Sequence, residues 1–227
     1  MRRRDTPAAE RRSGLHRAEG AGEPAPASAA AIVDELEALA DPAHARRAAR
    51  YFRTGPGEYG EGDRFLGLRV PQVRGVAKRH RDASLPTMLG LLRSPWHEAR
   101  LLALVLMVEA YRRGDDAVRA ALFDAYLANT RHVNGWDLVD VSAGTLVGAH
   151  LEGRSKRLLI RLARSESLWE RRIAIIATSH EIRCGRFDET LRIAALLLDD
   201  PHDLIHKAAG WMLREVGKRD RAVEECF

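Results

Sequence analysis

The sequence predicts an all-α protein built as a solenoid of two-helix repeats. Three observations carry that expectation. Helix-start signals recur along the chain, no run alternates well enough to be a strand, and three of the helix starts superpose at a period near 36 residues. Composition agrees: aromatics are 6% of 227 residues while Ala and Leu abound.

Residues 1 to about 30 read as a disordered tail. Arg2, Arg3, Arg4, Arg11, Arg12 and Arg17 are mixed with Ala, Gly, Pro and Glu, and almost no large apolar side chain is present to offset the entropy of ordering. No apolar core follows the Arg triplet, as a signal peptide requires, and Asp5, Glu10, Glu19 and Glu23 argue against a transit peptide. The folded part is expected over 31–227.

Asp41-Pro42 offers an N-cap and a first-turn proline ahead of a helix over His44 to Arg53. The Gly-rich stretch from Thr54 to Val70 is the one long loop. Ser94-Pro95 opens a helix over Trp96 to Tyr111, whose Leu101, Leu104, Val105 and Val108 keep the 3.6-residue period. A helix starts near Ser167 and ends before Gly185, a suitable C-terminal cap. Asp200-Pro201 opens another over His202 to Val216.

The apolar run Leu101 to Val108 is eight residues, far below the ~20 a membrane span needs. Two cysteines, Cys184 and Cys226, are too few for a disulfide framework and lack zinc-ribbon spacing. His97, His180, His202 and His206 form no HExxH pattern, so neither a metal nor a cofactor is expected. These features suit a reducing compartment, the cytoplasm. The net charge of +5 is modest, so the placement of the cations matters more than their sum.

The segments beginning at Leu92, Leu162 and Leu198 each end one helix, place a Ser or Asp cap, and lead a cation into an apolar helix. Arg100 to Arg172 is 72 residues and Arg172 to Lys207 is 35. Two helices per ~36 residues is the spacing of the HEAT class. Arg100, Arg172 and Lys207 are then expected to form a cationic row along one side, which suits a polyanion such as the DNA backbone.

The remaining repeat should fall near residue 136. There the sequence offers Trp136, Asp137 and Asp140 in place of a cation. Trp136 and Asp140 share a helical face, and Gly144 one turn on is expected to leave room beside the carboxylate. Trp211 lies four residues after Lys207, with Arg214 three further. Taken singly these are ordinary features: an acid that balances a basic row, and two indoles that pack. Together they describe an acid and two ring faces set among cations, an arrangement for a ligand that is itself positive.

The segments Trp136-Asp137-Leu138-Val139-Asp140, Leu168-Trp169-Glu170-Arg171-Arg172 and Lys207 to Glu215 resemble signature segments of the AlkD-type DNA alkylation repair glycosylases. The resemblance runs in order over about Ala31 to Phe227. It implies a HEAT-like fold around double-stranded alkylated DNA, acting as a monomer. The implied reaction is hydrolysis of the N-glycosidic bond of cationic alkylpurines, chiefly N7-methylguanine and N3-methyladenine, without base flipping. It also implies Asp140 as the catalytic carboxylate, Trp136 and Trp211 as the indoles beside the lesion's deoxyribose, and Arg172 and Arg214 on the DNA backbone. Lys207 and Arg100 are expected along the phosphates. A non-catalytic paralogue that binds bent or branched DNA is the alternative.

Two features depart from the family pattern. The helix begun near Asp220 reaches the end of the sequence where relatives continue, and the Gly-rich stretch offers only Tyr51 and Tyr59 as N-terminal aromatics. Trp169 and Trp96 are expected to pack between repeats, and Asp137 to steady a helix start.

Overall fold

A computed structural model describes residues 27–227, so most of the expected N-terminal tail lies outside the described residues. The described residues hold helices and no strand; the single β-bridge joins Arg64 to Trp96. None of these helices is long and apolar enough to cross a membrane.

The chain opens with α1 (Ala29–Glu37), capped by Ser28, and α2 (Pro42–Tyr51). As expected, the Asp41 carboxylate caps α2, accepting from the amides of Ala43 and His44 at 2.9 and 3.0 Å. The Gly-rich loop follows, then α3 (Val70–Arg79) and α4 (Leu85–Leu92). Helix α5 (His97–Arg113) is the centre of the molecule, with every residue from His97 to Val108 buried. That enclosure explains why its apolar run is unbroken.

Next come α6 (Asp116–Leu127), α7 (Trp136–Ala143) continued by a π-helical segment (Gly144–Ala149), and α8 (Arg157–Ala163). The last five are α9 (Leu168–Ala177), α10 (Ser179–Arg183), α11 (Asp188–Leu196), α12 (Asp203–Gly217) and α13 (Arg221–Cys226). The single helix expected from Ser167 to Gly185 is two, α9 and α10, parted at Thr178, and Gly185 takes a left-handed φ of 72° after α10, as its capping role requires. Helices α5, α7, α9 and α12 pack in succession, each on the next, while α4, α8 and α11 back α5, α9 and α12. This contact order is the one a stack of two-helix repeats demands.

The repeat is real, but its register differs from the expected one. Neither Ser94-Pro95 nor Asp200-Pro201 caps its helix directly. The Ser94 hydroxyl accepts from the Trp96 amide and the Asp200 carboxylate from the His202 amide, so each helix starts two residues later. Ser165 does the same for Ser167, which caps α9. The N-caps Trp96, Gly135, Ser167 and His202 therefore fall 39, 32 and 35 residues apart.

A side-chain signature marks the fourth residue after the cap in three of these helices. Arg100 donates to the Ser94 carbonyl at 3.0 Å, Arg171 to the Ser165 carbonyl at 3.0 Å, and the His206 ring meets the Asp200 carbonyl at 2.6 Å. Arg100 is thus equivalent to Arg171 and His206, not to Arg172 and Lys207. The position that carries Arg172 and Lys207 is filled by Leu101 in α5 and by Asp140 in α7.

Candidate active site

The site begins at the loop between α2 and α3. The buried Glu98 carboxylate accepts from the amides of Leu66, Gly67 and Leu68 at 2.9, 2.7 and 3.1 Å. Gly67 has φ 91°, and a Cβ there would collide with the Asp41 carbonyl, so only glycine fits this close approach. Asp63 reaches back from the same loop to His97 at 2.7 Å and to Arg100 at 2.5 Å.

The other ring nitrogen of His97 meets Asp137 at 2.8 Å. Burial alone would disfavour the imidazolium, but the two carboxylates outweigh it and raise the His97 pKa to about 9. Burial also opposes the charged form of Asp63, yet His97 and Arg100 hold that carboxyl below its ordinary range. The imidazolium stacks on Phe65 (centroids 4.5 Å apart) and lies 4.9 Å from Phe52. Phe52 in turn stacks on Trp136, with centroids 5.1 Å apart and planes 11° apart. Asp137 does steady the start of α7, through His97 rather than the helix amides.

Above this stack, Trp136, Tyr51, Tyr59, Arg172, His202 and Lys207 line a cleft of about 360 Å³. Tyr51 is 68% exposed and meets Trp136 edge to face at 5.9 Å. Tyr59 meets Trp169 edge to face at 6.1 Å, so Trp169 packs against the loop as well as between helices. Trp96 packs partly buried, its indole N–H donating to Glu37 at 2.7 Å and the Arg64 guanidinium over its ring.

Asp140 lies one turn after Trp136 and is gripped by Arg172 through two hydrogen bonds of 3.0 and 2.8 Å. Arg172 also donates to the Leu204 carbonyl of α12 at 2.6 Å, which ties α7, α9 and α12 together at one guanidinium. The Asp140 side chain keeps 21% of its surface exposed against 6% for Arg172. Burial pushes the Asp140 carboxyl above its usual pKa; Arg172 pulls the other way without cancelling it.

The carboxylate opens into a second groove of about 580 Å³, shared with Arg112, Arg119, His180 and Arg183. The Asp140–Arg172 pair therefore stands where the two depressions adjoin, Arg172 lining the one that holds Trp136 and Asp140 lining the other.

Several expectations need correction. The row Arg100, Arg172 and Lys207 is not built. Arg100 is 5% exposed and held by Asp63 and the Ser94 carbonyl, because it occupies the inward-facing register described above. Arg172 is equally buried and already saturated by Asp140 and Leu204. Lys207 is exposed on the cleft, paired with Asp203 across one helical turn at 2.6 Å.

Gly144 does line the groove beside Asp140, as expected, and a Cβ there would also strike the Ser179 hydroxyl of α10. Trp211 is 40% exposed on α12, one turn beyond Lys207, and does not line the cleft with Trp136. Arg214 is exposed and makes no ion pair among the described residues. Phe52 and His97 were not singled out as site residues by sequence; the only hint was an aromatic pair closing α2 just before the Gly-rich loop.

The family of DNA alkylation repair enzymes matches residues 32–227. The chain belongs to that family. Membership supports a role in DNA alkylation repair and implies DNA binding. Among solved structures, the fold is similar to a predicted DNA alkylation repair enzyme from Enterococcus faecalis, with 17% identity and a TM-score of 0.61. That match covers 82% of this chain and 87% of the other, so the family's fold is retained at low sequence identity. No curated protein matches the sequence.

Proposed function

We propose that this DNA alkylation repair protein is a monofunctional DNA glycosylase. It hydrolyses the N-glycosidic bond of cationic alkylpurines, N7-methylguanine and N3-methyladenine, in duplex DNA. The observation that carries the reading is Asp140: a carboxylate clamped in one orientation by Arg172, one helical turn from Trp136, and still open to a basic groove.

Alkylation at N7 or N3 places a positive charge on the base, which then leaves neutral and needs no general acid. The sugar left behind is electron-poor and resembles an oxocarbenium ion. A carboxylate beside C1′ stabilises that charge and orients or deprotonates the attacking water. At ~4 Å and an effective dielectric of about 20 the attraction is about 4 kcal/mol. Developed only in the transition state, that is worth on the order of 10³ in rate. Neutral adducts leave as anions and are expected to be poor substrates.

In this reading Arg172 positions Asp140 instead of touching phosphate. The duplex is held by the exposed cations Lys207, Arg214, Arg112 and Arg183. Trp136, with Tyr51 beside it, presents a ring face toward the sugar, and Trp211 supplies a second exposed indole along α12. The enzyme acts as a monomer on the flank of the duplex, with no need to extract the base into a pocket.

The test is to incubate the protein with methylated duplex DNA and quantify free N7-methylguanine and N3-methyladenine by mass spectrometry. Release by the wild type, and its loss in Asp140→Asn with DNA affinity retained, is the expected result. Unchanged release in that variant removes Asp140 from the mechanism. Salt-dependent binding without release from any lesion would instead indicate a non-catalytic DNA-binding relative.

A further inference from the structure

At the far rim of the basic groove, the fold brings together three side chains that the proposed reaction does not use. Glu152 follows the π-helical segment, while His180 and Cys184 are four residues apart on α10 and its C-cap. The Glu152 carboxylate meets the His180 Nε2 at 2.9 Å, the Cys184 Sγ lies 3.7 Å from that nitrogen, and the Sγ is 4.0 Å from the other Glu152 oxygen. One ligating atom from each falls within 4.8 Å of the others.

We propose that Glu152, His180 and Cys184 form a binding site for a zinc-class divalent cation, with the fourth position left to water. Four-coordinate zinc with Zn–S near 2.3 Å and Zn–N and Zn–O near 2.0 Å puts its ligand atoms about 3.3–3.6 Å apart. The His180 Nε2 lies 2.9 Å from one Glu152 oxygen and 3.7 Å from the Cys184 Sγ, distances that straddle that range. All three ligand atoms fall within 4.8 Å, so rotation of the exposed Glu152 and Cys184 side chains can seat the ion. A thiolate, an imidazole and a carboxylate form a donor set that favours Zn²⁺ over Mg²⁺ or Ca²⁺.

The backbone supports the placement. A Cβ at Gly148 would run into the Ala177 carbonyl and meet the His180 Cβ at 3.0 Å, and one at Gly144 would strike the Ser179 hydroxyl. These two glycines let the end of α7 approach α10 closely enough for Glu152 to reach the His–Cys pair. From outside, Arg186 donates to Glu152 at 2.9 Å and holds one carboxylate oxygen while the other faces the histidine. On binding, the Cys184 thiol releases its proton to water, the neutral imidazole ligates, and the metal clips the π-helical bend to α10.

Cobalt(II) titration of the full chain under reducing conditions tests the site. A thiolate-to-cobalt charge-transfer band saturating at one equivalent and bleached by added zinc is the expected result. Cys226→Ser should keep the band, Cys184→Ser should abolish it, and His180→Ala should weaken cobalt binding by about tenfold or more. Circular dichroism verifies that each variant remains helical. Absence of the band in the wild type, or its survival in Cys184→Ser, overturns the site.

Discussion

Two carboxylate–cation arrangements sit side by side in this molecule and differ mainly in how they are closed. Around His97, Asp63 and Asp137 enclose an imidazolium between aromatic rings, and the His97 and Asp63 side chains are each only 3% exposed. One turn along α7, Asp140 is just as firmly held by Arg172, yet a fifth of its side chain remains open. In the first set both His97 nitrogens and both Asp63 oxygens are engaged by the protein, joining the Gly-rich loop to α5 and α7, while Asp137 is 19% exposed and keeps one oxygen unpaired. The second is fixed in orientation but unfinished on one side, as a group that must meet a developing positive charge has to be. Similar ion-pair chemistry thus serves structure in the sealed His97–Asp63 pair and is available for catalysis at Asp140, whose open edge faces a basic groove.

The largest expected effect separates these roles. Asp140→Asn should lower base release by about 10³, while the amide oxygen keeps one of the two hydrogen bonds from Arg172 and folding stability falls by about 1–3 kcal/mol. His97→Ala should do the reverse. It leaves two acids facing each other in the interior and should cost about 3–5 kcal/mol in urea unfolding, with release per folded molecule changing far less than in Asp140→Asn. Equal losses of activity in the two variants would erase the distinction.

A pH series sharpens it. His97 holds its proton more tightly in the folded state than in the unfolded one. Its stabilisation, about 3 kcal/mol, is therefore complete below pH 6.5 and drains away as the pH rises through about 9. Chemical denaturation across that window should show the slope in the wild type and not in His97→Ala. Base release should respond at the acid end instead. Its loss should set in above the ordinary carboxylate value of 3.8, because burial raises the Asp140 pKa.

The smallest effects concern the cations. Removing Lys207 or Arg214 should each reduce the salt dependence of DNA binding by about one unit of slope. Arg100→Ala should leave that slope unchanged and lower stability, since its guanidinium faces Asp63.

Much of this was legible in the residues. The capping of α2 by Asp41, the helix after Ser167, the glycine at 185 and the period near 36 all follow from local chemistry: a side-chain oxygen beside free amides, a left-handed cap, an apolar stripe. The placing of Trp136 and Asp140 one turn apart on a helix also needed no tertiary information. What misled was the assumption of equal repeats. Intervals of 39, 32 and 35 residues shift the register by one position, enough to turn Arg100 from the groove to the interior.

The sequence by itself determined the helices and the spacing of Trp136 and Asp140, because each depends on residues within a turn or two of one another. Only the tertiary structure decided which charges face solvent and which face each other. Asp63 reaches Arg100 across 37 residues, Asp140 reaches Arg172 across 32, and Phe52 reaches Trp136 from a different helix pair. Those partnerships depend on how successive helices rotate as they stack. A one-residue change of phase turns a side chain by about 100°, and no local pattern records it.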